Sequence, residues 1–452
     1  MSVHITAKVN GYADKWCTAR NIPCNYSWLD APVLRGTQSI TQLQLSWTPA
    51  ENAARYEVYA VTAEGNVLLG ESTENTWTME QTGPLENPVL VVPVGKVLGV
   101  ETRGEASNAV QPVAEATAAE AKNYTFRYLA NNQWTSDVYK GSIYFRRLVA
   151  LDMSLTGSAA NGAGLVAVAR TQKGYHEGNS PTNGNYSALA GGSSGTNNFT
   201  EYACWYKRGI TTGNTAGYAW CAYFVSWCAR RAGISTSVIP SFSGCTTGCN
   251  RLLPANGGAI IYDPVLGSDY TPKKGDLVFF KDTTAGYAGH VGIVNYCSGN
   301  TVYYYDGNGA SRSNDGTSTD HTQVDYRRVA KWDSTVYAYA SINYAGVKRT
   351  TYEPHRVLWM VCSTTSKNMQ GPDVLWVQNR LVSLGYTCPT DSVYGPNTTA
   401  AVKQFQKKKG LTVNGKVDAA TLAALKTTSR SVVQADTVLT PVNGQELLMT
   451  TK

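Results

Sequence analysis

The chain has 452 residues, 42% hydrophobic and 16% charged, with a formal net charge of +7. That length exceeds one ordinary domain; the apolar content suffices for real cores, and the charge is too low for a disordered chain or a coiled coil. The moderate basic excess permits attraction to any polyanion and selects none.

Residues 1–30 hold Trp16, Cys17 and Cys24 without periodicity and stay unassigned. MSVHITAKVNGYADKW lacks the basic-then-apolar pattern of a signal peptide, and no apolar run approaches the roughly 18 residues of a membrane span. Neither ordinary secretion nor a transmembrane segment is expected. From residue 31 to 112 apolar and polar residues alternate: Leu43, Leu45 and Trp47 in TQLQLSW, then Tyr56, Val58 and Ala60 in RYEVYAV. A Gly65-Asn66 turn and the run Val89–Val94 continue this strand pattern, which predicts a small β-sandwich. The segment LSWTPAENAARYEVYAV and the closing Ser107–Val110 resemble a fibronectin type III module, with Trp47 as its core tryptophan. Such a module implies a spacer or binding platform.

The Ala/Glu-rich QPVAEATAAEAK, Gln111–Lys122, is expected to be a linker, so that residues 113–155 hold most of it and then aromatic strand-like segments (YTFRYL, SIYFRRLVAL) without an evident place. The Gly/Ser/Asn-rich stretch 180–198 reads as a surface loop. In GYAWCAYFVSWCARRAG, apolar residues recur at helical spacing from Cys221 and Gly233 supplies a stop. Cys221 therefore falls in a first helical turn, where unpaired N–H groups favour a thiolate. Cys228, two turns later, is expected to pack. PKKGDLVFF leads into a buried strand, AGHVGIVNY sets His290 at the start of the next, and TVYYYDGN returns with Asp306 and Asn308 two apart on one face. Thiol, imidazole and carboxylate or amide are the groups that acyl transfer needs.

These motifs, with ARTQKGYHEG and NNFTEYACWY before them, make residues 156–345 resemble a CHAP domain, a cysteine- and histidine-dependent amidohydrolase/peptidase with an α+β papain-like fold. The resemblance implies Cys221 as nucleophile, His290 as base, and Asp306 or Asn308 as the residue orienting the imidazole. It also puts His176 at a cleft rim, with Tyr202, Trp205 and Trp220 as further candidates for substrate contact. Cys245 and Cys249 form a tight CxxxC, read as two buried thiols or a local bridge, with no catalytic part. No DxDxD cluster stands near Cys221, so neither metal nor cofactor is expected.

Residues 346–365 are expected to be a second linker. Across 366–428, Val374, Val377, Leu381 and Leu384 fall at helical spacing and Gly385 ends the run. Thr398–Lys408 predicts a second helix and Asp418–Leu425 a third, capped by Asp418. This small three-helix unit resembles a type 1 peptidoglycan-binding domain in its LGY, Tyr394-Gly395, Thr399–Val402, Phe405-Gln406, Gly410-Leu411 and Gly415. Residues 429–452 lose pattern.

The combined resemblance implies a multidomain peptidoglycan hydrolase that cuts an amide, either between muramic acid and L-alanine or within the stem or cross-bridge peptides. Peptidoglycan, with anionic wall polymers, is the expected partner; nucleic acid is not. Lacking a signal peptide, the chain is expected to be a phage endolysin or tail-associated lysin, released to the host wall or virion-borne. A bacterial wall-remodelling hydrolase or exported toxin, and a non-catalytic wall-binding or virion structural protein, are the alternatives.

Overall fold

The computed structural model describes residues 29–62, 64–81, 85–97, 100–131, 135–178, 181–182, 185–186, 198–206, 219–253, 258–282, 287–309, 322–346, 352–361 and 368–429. Trp16, Cys17, Cys24 and most of the 180–198 stretch lie outside them. The chain divides into two compact units, Met1–Thr351 and Tyr352–Lys452. Among the described residues no helix is long and apolar enough to cross a membrane.

The first unit opens with a sheet-rich region. Strands β1 (Leu34–Gln38), β2 (Gln42–Trp47) and β5 (Thr76–Glu80) form one antiparallel sheet in the order β1-β2-β5. A second sheet has the order β4-β3-β6-β7, from β3 (Ala53–Thr62), β4 (Gly65–Ser72), β6 (Val89–Val97) and β7 (Val100–Arg103). The alternation in β2 buries Leu43, Leu45 and Trp47, which meet Tyr56, Val58, Val89 and Val91 in one core. The Trp47 and Tyr56 rings lie 5.3 Å apart, and the Tyr56 hydroxyl accepts from the Ala50 N–H at 2.9 Å.

Residues 113–155 depart from expectation. The alanine-rich stretch is no free linker: Ala116 and Ala121 are buried in the same core as the Cys221 helix. Thr117 and Glu120 close a capping box on α1 (Ala118–Ala121). Alanines suit linkers, but they equally suit close packing, and only neighbours distinguish the two. The aromatic segments are not strands either. After α2 (Asp137–Lys140), SIYFRRLVAL lies in α3 (Ile143–Ser154), capped by Ser142. Its buried residues Tyr144, Phe145, Leu148, Val149, Leu151 and Asp152 follow the helical period, which overrides the strand preference of aromatic and branched side chains. YTFRYL is irregular, held by the buried Asp152 carboxylate. That group accepts from the N–H groups of Arg127, Tyr128 and Leu129 at 2.6–2.8 Å and from the Tyr124 hydroxyl at 2.8 Å. The domain that carries the Cys221 helix therefore starts well before residue 156.

Helix α4 (Gly162–Thr171) follows, then the short pair β8 (Pro181–Thr182) and β9 (Asn185–Tyr186), α5 (Glu201–Tyr206), α6 (Cys221–Arg231) and α7 (Cys245–Leu252). These helices pack on an antiparallel sheet of order β10-β15-β11-β12-β13-β14. Its strands are β10 (Ile260–Tyr262), β11 (Leu277–Lys281), β12 (Ala288–Ser298), β13 (Thr301–Gly307), β14 (Val324–Ala330) and β15 (Val336–Ser341). Phe280 pairs with His290, and a register shift follows between Val294 and Tyr296.

The second unit contains α8 (Pro372–Ser383), α9 (Pro396–Lys409) and α10 (Ala419–Thr427) around Val374, Val377, Leu381, Val402, Phe405 and Leu425. Asp418 caps α10 by accepting from the Thr421 N–H at 2.9 Å, and Gly385 adopts a left-handed φ of +91°. Two buried glutamines repeat one device. The Gln378 amide bridges Asp391, Ser392, Val393 and Thr398; the Gln406 amide bridges Asn414, Gly415, Lys416 and Thr421. The expected 346–365 linker also needs correction, because Leu358 is fully buried and bridges to Val417. Arg356, buried, pairs with Asp373 at 2.8 Å.

Candidate active site

Cys221 is the first residue of α6, following Trp220 at the N-cap. The helix buries one residue after another, including Phe224, Val225, Trp227 and Cys228, so the thiol is rigidly mounted. Cys228 is fully buried, and burial pushes its thiol well above the ordinary range. It packs; it carries no charge.

His290 enters from the sheet. Its Nε2 donates to Asp306 Oδ2 at 2.7 Å, and the imidazole is hydrogen-bonded to Cys221. The Cys221 thiol is held well below its usual range, first by a hydrogen bond from Cys245. Burial opposes this, and the His290 charge and hydrogen bond and the Val291 N–H reinforce it. For His290, burial works against the charged form. The Cys221 thiolate and the bond to Asp306 overcome it and hold the imidazole up at about 9. Both shifts favour the charged forms, a thiolate beside an imidazolium. Such a pair can attack a carbonyl and then protonate a leaving amine.

Of the two orienting candidates, Asp306 touches the imidazole. Asn308 sits one turn of chain further on, with φ +58°, and its Nδ2 donates to Asn198 Oδ1 at 2.8 Å. Strand spacing put both on one face; the left-handed backbone at 308 separates them. Asp306 is itself fixed by Arg327 on β14, whose Nε donates to Oδ1 at 3.0 Å. Arg327 is buried, and sequence reasoning missed it because it is brought close only by the β13–β14 register.

The expected substrate contacts divide. Tyr202 and Trp220 are fully buried and stacked with centroids 5.5 Å apart, so they pack behind Cys221 rather than meet a ligand. Their aromatic character suggested a binding surface, and packing decided otherwise. Trp205 is half-buried against Tyr206. His176 is half-buried, with Nδ1 3.2 Å from Thr322 Oγ1. Its neighbour Glu177 was missed, although GYHEG had been singled out. The Glu177 carboxylate accepts from Trp220 Nε1 at 2.6 Å and from the Asn198 N–H at 3.1 Å. It thereby ties Trp220, the residue before Cys221, to Asn198, the partner of Asn308. Gly307 completes this packing: a Cβ there would lie 2.0 Å from Trp220 Cζ3.

A thiol at a helix start, with an imidazole and a carboxylate on adjacent strands, brings together the groups that acyl transfer needs. Comparison with known families agrees at the domain level. The CHAP domain model matches residues 212–308, which include Cys221, His290, Asp306 and Asn308. The model of a peptidoglycan binding domain matches residues 370–425. Together they support a peptidoglycan hydrolase. No curated protein matches the chain. Among solved structures, FN3tt mut is 20% identical over 19% of this chain and 91% of its own, with a TM-score of 0.16. An Fn3-like protein from Clostridium thermocellum is 21% identical over 18% and 91%, with a TM-score of 0.15. The pectate lyase Pel3 from Pectobacterium carotovorum is 24% identical over 19% of this chain and 28% of its own, with a TM-score of 0.15. Likenesses at these TM-scores carry no argument.

Proposed function

We propose that the chain is a cysteine-dependent peptidoglycan amidase or endopeptidase. The observation that carries the reading is the hydrogen-bonded series Cys221, His290, Asp306 at the meeting of α6, β12 and β13. In this mechanism the Cys221 thiolate attacks the amide carbonyl of the wall. Backbone N–H groups at the start of α6 stabilise the oxyanion, and the His290 imidazolium protonates the departing amine. Water, deprotonated by the now neutral imidazole, then hydrolyses the thioester and regenerates the thiolate. Asp306 holds the imidazole by its Nε2–H throughout. The C-terminal unit keeps the enzyme on the insoluble wall, and the N-terminal sheets act as a fibronectin type III-like spacer, a reading supported by their β1-β2-β5 and β4-β3-β6-β7 orders.

The test is digestion of purified peptidoglycan by the native chain and by Cys221→Ala, followed by mass spectrometry of the fragments. Native protein should release new amino termini at one bond type, insensitive to EDTA and lost with iodoacetamide. A folded Cys221→Ala variant that still solubilises walls would sink the cysteine mechanism, and the fragment masses separate amidase from endopeptidase.

A further inference from the structure

Cys245 takes no part in bond making or breaking in the mechanism above, yet its Sγ lies 3.7 Å from Cys221 Sγ. Each cysteine is the first residue of its helix, so the N-termini of α6 and α7 converge on the two sulfur atoms. The contact is built, not incidental. Ser226 of α6 fixes the chain leading into α7: its Oγ donates to the Phe242 carbonyl at 2.9 Å and accepts the Phe242 N–H at 3.0 Å. Gly248 lies under the Phe242 ring, where a Cβ would stand 2.7 Å from Cδ2. Thr246 Oγ1 donates to the Ala288 carbonyl at 3.1 Å, anchoring the start of α7 to the strand that carries His290. Both sulfurs are buried and both are thiols.

We propose that Cys221 and Cys245 form an oxidation site, in which peroxide converts the nucleophile to a reversible Cys221–Cys245 disulfide. This rests on Cys221 being the reactive thiolate of the proposed hydrolase. A low-pKa thiolate is the form that peroxide attacks, and the hydrogen bond from Cys245, with the His290 charge, provides it. In the first step the Cys221 sulfur attacks one peroxide oxygen; the O–O bond breaks and hydroxide leaves, giving a sulfenic acid. In the second, the Cys245 sulfur attacks the sulfenic sulfur; the S–O bond breaks and water leaves, taking up the Cys245 proton. The proton lost by Cys221, carried on His290, neutralises the hydroxide. Two thiols and one peroxide thus become one disulfide and two waters. Closure needs the sulfurs to approach by about 1.7 Å more, within the reach of side-chain rotation and a small helix shift. Peroxide is small enough to reach a thiol that is only 3% exposed. Peptidoglycan lies outside the reducing cytoplasm, where a resolving thiol spares the nucleophile from irreversible over-oxidation.

The experiment treats the full chain with hydrogen peroxide, blocks remaining thiols under denaturing conditions, and maps cross-linked peptides without reduction. Cleavage after Trp227 separates Cys221 from Cys228, and a Cys249→Ser background leaves Cys245 as the only partner on its peptide. A Cys221–Cys245 peptide pair is expected in both backgrounds. Dithiothreitol should restore most wall lysis in native protein, whereas Cys245→Ser should recover at least about tenfold less of its own untreated activity, with Cys221 as sulfinic acid. Cys221 sulfinic acid in native protein without the cross-link, or a Cys245–Cys249 bridge instead, would overturn the proposal. If Cys245→Ser fails to fold, peptide mapping of the other two proteins still decides. Mapping is independent of lysis, so a chain that forms the bridge but digests no wall refutes the hydrolase reading and not this one.

Discussion

Asp306→Asn changes one buried oxygen to an NH₂ with almost no change in volume. The native carboxylate serves two buried donors, His290 Nε2 at 2.7 Å and Arg327 Nε at 3.0 Å. An amide has one oxygen for these two N–H groups, so one of them must face an NH₂. If the oxygen stays with Arg327, Nε2 loses its acceptor and the imidazole shifts to the wrong tautomer. A charge-assisted hydrogen bond in such a site contributes about 1.5–3 kcal/mol, or roughly 1–2 pH units of imidazolium stability. In the proposed mechanism His290 acts as an acid towards the leaving amine, so native kcat/KM should fall as pH rises through about 9. The assay is release of amino groups from purified peptidoglycan across that range, with thermal denaturation to confirm folding. The variant should lose roughly 10²–10⁴-fold in kcat, and its alkaline limb should move down to roughly pH 7–8. Asn308→Ala should stay within about tenfold of native, because its bond is to Asn198. A folded Asp306→Asn variant with near-native turnover and an unmoved alkaline limb would refute the assignment.

Glu201 is buried beside Ser136, and burial pushes its carboxyl up to about 7. The unfolded chain releases this proton near about pH 4.3, so the folded state binds more protons between the two values and stability falls as pH rises through that window. Glu201→Gln removes the slope; its stability relative to native should rise between about pH 4.3 and 7 by up to ~3 kcal/mol, and a constant gap in chemical denaturation would contradict this. Gly307→Ala forces a methyl into the Trp220 ring and should cost about 1–3 kcal/mol, read as a lowered Tm; an unchanged Tm would mean that Trp220 is free to move. Residues 352–429 alone should fold and sediment with purified sacculi in roughly 0.3 M salt, where exposed charge contacts such as those of Lys407–Lys409 are screened. Complete release by salt would reduce the unit to a cationic patch. Starting at 366 instead removes Arg356 from buried Asp373 and should lower the Tm.

Local signals determined much of this protein. The period-two burial of Leu43, Leu45 and Trp47, the helix beginning at Cys221, the strand carrying His290 and the Asp418-capped last helix are all readable from spacing, because each depends on a residue and its near neighbours. The residue types of the site were readable for the same reason: acyl transfer needs a thiol, an imidazole and a carboxylate, whatever the fold. Contacts between distant segments were not. Whether Asp306 or Asn308 meets the imidazole turned on one left-handed backbone angle. Arg327 reaches Asp306 through strand register, and Glu177 reaches Trp220 across 43 residues. Ala116 and Ala121 are core rather than linker because α3 lies against them, and Tyr202 is buried because Trp220 stacks on it. Most telling is Cys245: its CxxxC spacing gives no hint of Cys221, and only the convergence of two helix starts sets the two sulfurs side by side. Composition and period fix what a segment can form; which surfaces meet depends on the free energy of the whole packed core, and that is decided between segments, not within them.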